Sequence, residues 1–518
     1  MTTINNPTRL AAPVNVDPLL PRQQTGPQQH KTRLVCVVSP NFNGPKDVAQ
    51  LLADLRALDL GTRPGGGPLL ELRAIVVDNA STTPIVDVVP APDDLHVEFL
   101  RLTTNTGGAG GYSAGMAHAI KRGRETGRMP EFVWLLDSDA RPEPSALLGL
   151  VKAMDTYPNY VVMGSSIANP ETGVVFEIGG FLDHFCGEWH PRWGEENPPP
   201  KRTVPVGYVA ACSCMTRAEA IEKVGLFPDV FLKADDVEWS CRVAREMGGK
   251  VGATCDSVVT HPQWKFGETL PRYYIARNGY GAIDAMRLGA RVRFFRALRE
   301  MPRALAQVMI GRNDLAECHI RGLEDAAARK YFGPGAKDEL KIERFIPFEK
   351  LGEHLGPMIE HIADRKVWLH GRIRLSEAKA RELERQLESL GLDAPPVSRG
   401  PYIMERERFF TGLRRGVWRF LRGPKHEVGV IPVRGRPNAW ARGRIQIEVM
   451  PDGFVIRRFN RRETLRHLRQ FTWRGLKSAI RIGLQHTGRT TAERLPTVDN
   501  HKYEVESLRI FEPTRTRS

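Results

Sequence analysis

Strand-like and helix-like segments alternate over the first third of the chain. Apolar runs rich in β-branched residues, among them "RLVCVVS", "LRAIVVD" and "FVWLL", are separated by segments of helical spacing such as "DVAQLLADLRAL". Chains of this kind fold through right-handed βαβ crossovers into a largely parallel sheet. The sequence therefore predicts an α/β fold: a Rossmann-like, mostly parallel sheet flanked by helices, followed by a helical region and a small basic C-terminal module.

Polar residues follow three of the predicted strands at the point where each strand ends. In chain order they are Asn41 and Asn43, Asp78 and Asn79, and Asp137 and Asp139. Ligands of open α/β sheets bind beyond the carboxyl ends of the strands, so these groups should meet at one edge. Two carboxylates one residue apart suit Mn²⁺ or Mg²⁺, which takes further ligands from substrate phosphates. The pair therefore indicates a metal–diphosphate site, although a single Asp after a strand also serves as a turn or helix cap.

Three further segments carry candidate functional groups. Residues 104–115, "TNTGGAGGYSAG", place five glycines at a strand-to-helix junction, where the backbone can approach a ligand closely or simply bend. Asp235, Asp236 and Glu238 open a helix; they either favour the positive end of the helix dipole or include a general base. His261 follows another β-branched run and is either a structural histidine or a metal ligand.

Taken in order, these motifs resemble a known enzyme family. The segments "VVDNAS", "TNTGGAGGYSAGM", "WLLDSDARPEP", "FLKADDVEWSCR" and "YYIARN" are similar to those of family 2 glycosyltransferases with the GT-A fold. The glycine loop followed by the D-x-D strand most resembles the galactofuranosyltransferase branch, in which an Asp is common at the position of Ser138. The resemblance covers about residues 31–285. It implies an inverting transfer of a sugar from a nucleotide-diphosphate sugar.

The resemblance also implies roles for individual residues. Asp236 would be the general base, with Asp235 beside it, and Glu238 and Trp239 would contact the acceptor. Metal ligands would be Asp137, Asp139 and His261. The donor-binding residues would be Asp78, Asn79, Asn105, Gly107, Gly108, Asp137 and Arg277.

Composition bounds the partners and the location of the chain. The formal net charge of +15 over 518 residues suits phosphorylated substrates or an anionic membrane surface. Three segments, "RVRFFRALREM", "RFFTGLRRGVWRFLRG" and "LRHLRQFTWRGLKSAIRIGL", mix Arg with large apolar residues at helical spacing, as helices at a membrane interface do. An ordinary packed helix with a solvated Arg face has the same pattern. The seven cysteines indicate a reducing compartment, and no apolar run has the length of a bilayer span.

These observations predict a cytoplasmic enzyme, peripheral at the inner face of the cell membrane. The resemblance implies that its donor is a nucleotide-diphosphate sugar, with UDP-galactofuranose as the predicted one. The acceptor would be a glycan or a polyprenyl-linked glycan, and nucleic acid is not an expected partner. One alternative is a rhamnosyltransferase that uses dTDP-rhamnose, and another is a non-catalytic basic adaptor for membrane or nucleic acid. The predicted divisions are a disordered tail over 1–30, the GT-A domain over 31–280, a helical region over 281–395 and a basic C-terminal module over 396–518. The oligomeric state is left open.

Overall fold

The computed structural model describes thirteen stretches of the chain, and the structural statements below concern these alone. They are residues 32–64, 66–192, 203–262, 270–309, 311–341, 346–369, 374–393, 396–399, 426–432, 443–450, 453–458, 460–485 and 495–514. The predicted N-terminal tail and the basic segment 408–423 therefore lie outside the described residues. No helix in these stretches is both long and apolar enough to cross a bilayer.

The first half of the chain folds around one large mixed sheet. Its elements are β1 (Arg33–Asn41), α1 (Pro45–Arg56), β2 (Leu70–Asp78), α2 (Ile85–Val88), β3 (His96–Leu102), α3 (Gly107–Thr126), β4 (Phe132–Leu136), β5 (Arg141–Pro142), α4 (Ala146–Thr156), β6 (Tyr160–Ala168), β7 (Val175–Glu177), β8 (Gly180–Leu182), β9 (Trp189–Pro191), β10 (Thr203–Val206), β11 (Ser213–Arg217), α5 (Ala218–Val224), α6 (Asp235–Met247) and β12 (Lys250–Thr260).

The strand order confirms the predicted α/β class. The main path of the sheet runs β10-β12-β6-β11-β4-β1-β2-β3, with β19 (Val505–Phe511) added at the end beside β3. Neighbours β4, β1, β2 and β3 are parallel, whereas β11 runs antiparallel to both of its neighbours. The central strands β1, β2 and β4 are mostly apolar on both faces, as expected where helices cover both sides of a sheet. One apolar cluster includes α1 and α4, and the other includes α3, α5 and α6.

Helices follow the sheet, as predicted, and a small second sheet comes after them. The later elements are α7 (Leu270–Ala285), α8 (Gly289–Met309), α9 (Asn313–Ala327), α10 (Leu351–Ile359), β13 (Val367–Leu369), β14 (Arg374–Leu375), α11 (Glu377–Ser389), β15 (Ser398–Arg399), β16 (His426–Pro432), β17 (Gly443–Met450), β18 (Gly453–Arg458) and α12 (Arg461–Gly483). Strands β13, β16, β17 and β18 form a four-stranded sheet that shares an apolar core with α10 and α11.

The segment predicted as a C-terminal module is distributed over three places. Strands β16–β18 belong to the small sheet, in which β17 pairs antiparallel with β18. Helix α12 shares a core with α8 and α9, and β19 pairs antiparallel with β3 of the main sheet. The C-terminal residues therefore close an edge of the first sheet, and the predicted domain divisions stay predictions.

Candidate metal and active site

The carboxyl ends of β1, β2 and β4 meet at one edge of the main sheet. Asn41 and Asp78, the last residues of β1 and β2, lie opposite each other in the strand register. The Asn41 Nδ2 donates a hydrogen bond to Ser138 Oγ over 2.8 Å. Ser138 therefore ties the segment after β4 to the end of β1, and this contact orients the two flanking aspartates.

Asp137, Asp139 and His261 come together at this edge. One ligand atom from each residue lies within 4.8 Å of the others. The Nε2 atom of His261 is 3.4 Å from Asp137 Oδ2 and 3.3 Å from Asp139 Oδ1. The other carboxylate oxygen of Asp137 accepts a hydrogen bond of 2.5 Å from the hydroxyl of Tyr112. The cluster therefore has the predicted members, and a buried tyrosine of α3 orients one of its carboxylates.

Backbone contacts determine which ring nitrogen of His261 faces the aspartates. The N–H of His261 donates to the carbonyl of Ala168, at the end of the neighbouring strand β6, over 3.0 Å. Its Nδ1 lies 2.7 Å from the carbonyl oxygen of Pro262. A carbonyl only accepts hydrogen bonds, so Nδ1 carries a proton and Nε2 is the nitrogen available as a ligand.

The electrostatics of the cluster call for a positive charge. Burial lowers the pKa of His261, but hydrogen bonds and charges from Asp137 and Asp139 outweigh burial and raise it to about 10. The hydrogen bond from His261 in turn holds the pKa of Asp139 below its usual value. Without a cation, a proton on the imidazole compensates the two carboxylates.

The three side chains fit a divalent metal ion. Carboxylate oxygens suit Mn²⁺ and Mg²⁺, and a neutral imidazole is a ligand for ions of the first transition series such as Mn²⁺. Metal binding would displace the proton from His261 Nε2, because a protonated nitrogen is no ligand. Three protein ligands leave positions for phosphate oxygens, as a donor diphosphate would require.

The acidic pair Asp235–Asp236 begins helix α6 beside this cluster. The backbone N–H groups of Ala211 and Val237 donate to the carboxylate of Asp236 over 3.3 and 2.8 Å. Burial raises the pKa of both carboxyl groups, and burial together with the charge of Asp236 raises that of Asp235 to about 7. Asp236 is half-buried whereas Asp235 is buried, so Asp236 is the better placed of the two to meet a substrate.

Glu177 is a site residue that the sequence analysis did not identify. It ends β7 and pairs in register with Ile167 of β6, one residue before the Ala168 carbonyl that holds His261. Burial and the charge of Asp236 raise the pKa of Glu177 to about 7. The signal available was a single acid inside the apolar run "VVFEIGG", which is unusual for a buried strand.

The glycine loop is held by side chains at the end of β2. Asn79 accepts a hydrogen bond from the N–H of Thr106 and donates to the carbonyl of Gly107, both over 2.9 Å. The Asn105 side chain accepts from the N–H of Gly107 over 2.9 Å. Asn105 and Gly108 are half-buried, whereas Asn79 and Gly107 are buried. Asn105 and Gly108 are therefore accessible to a sugar donor, whereas the buried residues Asn79 and Gly107 shape the loop.

Asp78 has structural contacts that use most of its carboxylate. It is 2% exposed and accepts hydrogen bonds from the backbone N–H groups of Ser81 and Ile85. The guanidinium of Arg101, on β3, donates to it over 2.6 Å. This arrangement fixes the turn after β2 and does not by itself provide the predicted nucleoside contact.

Glu238 and Trp239, the predicted acceptor residues, have their partners inside the protein, and the acceptor contacts stay predictions. Trp239 is fully buried, with its indole N–H donating to the carbonyl of Gly225 over 2.9 Å. Glu238 is also buried and forms two hydrogen bonds, of 2.8 and 2.9 Å, with the guanidinium of Arg242 one helical turn later. Both side chains lie on the core side of α6 and stabilise that helix.

Arg277, a predicted donor-binding residue, also has its partners inside the protein, and its donor contact stays a prediction. The Arg277 side chain is fully buried, and its guanidinium donates to the carbonyls of Val230 and Gly333 over 2.8 and 2.9 Å. Asn278 donates to the carbonyls of Leu232 and Lys233 over 2.8 and 3.0 Å. This pair therefore holds the loop that leads into Asp235 and Asp236.

Comparisons with known proteins find similarity to glycosyltransferases. Residues 36–225 match the model of the family "Glycosyl transferase family 2". A 195-residue segment is 26% identical to galactofuranosyltransferase GlfT1 from two strains of Mycobacterium tuberculosis; the alignment covers 36% of this chain and 60% of the relative.

Solved structures also resemble this chain. The mannosyltransferase PcManGT from Pyrobaculum calidifontis, in complex with GDP-Man and Mn²⁺, is 17% identical, with a TM-score of 0.33 and coverage of 71% of this chain and 88% of that one. GalNAc-T7 with UDP, GalNAc and Mn²⁺ is 14% identical, with a TM-score of 0.36 and coverage of 53% and 52%. Residues 36–225 of this chain are therefore similar to glycosyl transferase family 2.

Proposed function

We propose that this chain is an inverting, metal-dependent glycosyltransferase that moves a sugar from a nucleotide-diphosphate donor to a hydroxyl group. The observation that carries the proposal is the meeting of two chemically different groups at one sheet edge. Asp137, Asp139 and His261 offer ligand atoms within 4.8 Å of one another. The charge of Asp137 acts on Asp236, whose pKa burial already raises. A metal–diphosphate site and a carboxylate of raised basicity are the two parts that a single displacement needs.

In the proposed reaction, Asp236 accepts the proton of the acceptor hydroxyl. The oxygen forms a bond to the anomeric carbon as the bond from that carbon to the donor phosphate breaks, and the electron pair leaves with the diphosphate. Attack from the face opposite the leaving group inverts the configuration. A divalent ion held by Asp137, Asp139 and His261 would neutralise charge on the leaving diphosphate. Asp235 and Glu177 are buried carboxyl groups near the proposed base, and their pKa values are raised to about 7.

Galactofuranose from UDP-galactofuranose is the sugar we propose. The support is the order of the motifs and the similarity to galactofuranosyltransferase GlfT1, which spans 60% of that relative. The rival within the family is rhamnose from dTDP-rhamnose. Both donors would use the same metal cluster, so they must be separated by measurement.

A glycan or polyprenyl-linked glycan is the acceptor class we propose, with the enzyme held at the inner face of the cell membrane. The basic balance of the chain, +15, supports contact with an anionic surface. Nothing in the site chemistry requires the acceptor to be lipid-linked, so a short soluble glycan should also be a substrate.

The decisive experiment combines binding and transfer with the full chain. Calorimetry with UDP-galactofuranose, UDP-galactopyranose and dTDP-rhamnose, each with Mn²⁺ and with EDTA, tests the donor and the metal. Mass spectrometry of a soluble glycan acceptor then tests transfer. We expect binding of UDP-galactofuranose that depends on Mn²⁺, and an acceptor that gains one hexose mass or more. Preferential binding of dTDP-rhamnose would contradict galactofuranose as the transferred sugar. Absence of binding to any of the nucleotide sugars would contradict the proposed function.

A further inference from the structure

Helix α12 is anchored to the rest of the protein along one face. Phe471, Gly475, Ala479 and Ile482 are buried on this face. A Cβ added at Gly475 would lie 3.1 Å from Met301 of α8 and 3.2 Å from Ile320 of α9, so the helix packs closely on both neighbours. This packing determines which face of α12 is turned toward α8 and α9 and which face is turned away from them.

That opposite face exposes five large apolar side chains. Their exposed fractions run from 37% to 77%, and the residues are Leu465, Trp473, Leu476, Ile480 and Leu484. At 3.6 residues per turn all five fall within an arc of about 100°. Scattered apolar side chains are normal on a protein surface, but a continuous stripe of this kind marks an interaction surface.

Basic residues are interleaved with the apolar stripe. Six basic residues are exposed along α12; apart from Arg461 at its start, they are Arg462, Arg466, Arg469, Lys477 and Arg481. Glu463, in the first turn, is the acidic residue of the described helix. The surface therefore combines apolar area with a net positive charge, and we call these five apolar and five basic residues the α12 face.

The apolar area continues past the C-terminal end of the helix. A Cβ added at Gly483 would lie 2.9 Å from the ring of Phe294 on α8. The next residue, Phe295, stacks on Phe185 with ring centroids 4.8 Å apart, and Phe185 is 57% exposed. The guanidinium of Arg291 lies over the ring of Phe295, 5.6 Å from its centroid. The same mixture of aromatic and cationic groups thus extends onto α8 and the loop after β8.

We propose that the α12 face docks on the headgroup region of an anionic lipid bilayer. The exposed Trp, Leu and Ile side chains would enter the interface while the Arg and Lys side chains pair with lipid phosphates. This inference rests on the proposed function in one respect, because docking would bring the active site to a polyprenyl-linked acceptor. Its charge pattern argues against a second copy of the chain, since five cations would face five cations across a two-fold interface. Five exposed apolar residues would add little to binding of a nucleic-acid backbone.

Vesicle flotation with the full-length chain tests the proposal. The vesicles are phosphatidylcholine alone and phosphatidylcholine mixed with phosphatidylglycerol. We expect binding to the anionic vesicles that weakens with salt, and much weaker binding to the neutral ones. Replacing two basic residues, Arg469→Gln with Lys477→Gln, should weaken binding about 30-fold, since each cation near an anionic surface contributes on the order of fivefold.

The apolar contribution needs its own variant and a matched control. Trp473→Ser with Leu484→Ser should weaken binding by at least about tenfold. Val88→Ser, at a residue that is 50% exposed on α2, should leave binding unchanged. Brominated lipid should quench part of the tryptophan fluorescence, and Trp473→Phe should reduce that quenching, which reports insertion without relying on binding losses.

Several outcomes would overturn the inference. They are equal binding by the α12 variants and the parent, binding of RNA rather than vesicles through the same residues, or a dimer that the Trp473 and Leu484 changes dissociate. Transfer to a short soluble acceptor should be the same in the α12 variants and the parent. If transfer fails in the parent while vesicle binding holds, the proposed function is wrong and the docking surface stands.

Discussion

Gly107→Ala is a sharp test of how the glycine loop and the acidic loop fit together. Gly107 has φ of +72°, and a Cβ added there would lie 2.6 Å from the carbonyl carbon of Phe231. The Ala109 N–H donates to that same carbonyl over 3.2 Å. Something must therefore move, and Phe231 lies only four residues before Asp235.

The chain offers a matched control at the other end of α3. Gly127 also has positive φ, +65°, but no atom lies within 4 Å of an added Cβ. Alanine in the left-handed region costs roughly 1–2 kcal/mol at either position. Overpacking adds about 1–3 kcal/mol at Gly107 alone. We expect Gly107→Ala to destabilise the folded chain by about 2–5 kcal/mol in total, and Gly127→Ala by about 1–2 kcal/mol.

Urea unfolding followed by tryptophan fluorescence gives the stability difference between the two variants. Sugar transfer, measured below the unfolding transition and corrected for the folded fraction, gives the functional difference. Gly107→Ala should lose at least about tenfold in turnover, because a shift of Phe231 displaces the proposed base, whereas Gly127→Ala should keep the parent rate. Equal losses of stability in the two variants would refute the clash at Phe231, and an unchanged rate in Gly107→Ala would refute its link to Asp236.

Three further predictions follow from the site. Asp236→Asn should lower transfer by at least about 10²–10⁴-fold while calorimetric donor binding stays near that of the parent, and Asp93→Asn, at an exposed loop carboxylate, should change neither. EDTA should abolish transfer and Mn²⁺ should restore it, and Asp139→Asn should raise the Mn²⁺ concentration needed for half-maximal rate by at least about tenfold. In EDTA, Asp235→Asn should stabilise the chain at pH 8. The pKa of Asp235 is raised from its ordinary value to about 7 in the folded chain, so the unfolded chain loses this proton first and the stability of the parent falls as the pH rises from about 4 to about 7. Asn has no such ionisation, so the stabilisation by Asp235→Asn should vanish below about pH 4, where the carboxyl is protonated in both states. A destabilised Asp235→Asn at pH 8 would contradict that sign.

The sheet edge could be read from the sequence because its logic is local. Asn41, Asp78 and Asp137 each follow a β-branched run, and parallel strands bring their carboxyl ends to one side. The ends of β1 and β2 are indeed opposite in register. His261 needed the resemblance as well, since a single His after a strand carries little information.

The acceptor residues could not be placed by proximity to the acidic pair. Helix positions three and four residues apart share a face, so the apolar spacing of Trp239 and Val243 predicts burial for both. Both are fully buried. That spacing outweighs closeness in sequence to Asp236, and Glu238 is buried through its pairing with Arg242.

The pairing of β19 with β3 is a contact that no local pattern could predict. Some four hundred residues separate the partners, and the strand itself is mostly exposed, so its alternation carries no signal of a buried face. Specific side chains fix the register instead: Arg101 donates to Glu506 over 2.8 Å, and the His96 ring lies 2.7 Å from Glu512. Such complementarity becomes visible only when both strands are in place.

Arg277 is a buried cation that holds the loop before α6 through its backbone carbonyls. Three residues of the preceding loop, Phe231, Lys233 and Ala234, have positive φ values of 67° to 68°. Each such conformation costs of order 1–3 kcal/mol and persists only where its surroundings enforce it. The hydrogen bonds of Arg277 and Asn278 to carbonyls from Val230 to Lys233 supply that enforcement.

Arg277 and Asn278 hold the loop from one side, and the glycine loop contacts it from another. The guanidinium of Arg277 lies 5.1 Å from the ring centroid of Tyr274, which stacks on Phe231, so helix α7 and the loop pack closely against each other. Phe231 is also the residue that contacts Gly107 of the proposed donor loop. The loop contacts α7 through Arg277 and Asn278 and contacts α3 through Gly107, so we expect a shift of the glycine loop to displace Asp236. The proposed base and the proposed donor loop are therefore positioned through one loop, which Arg277 and Asn278 hold from α7.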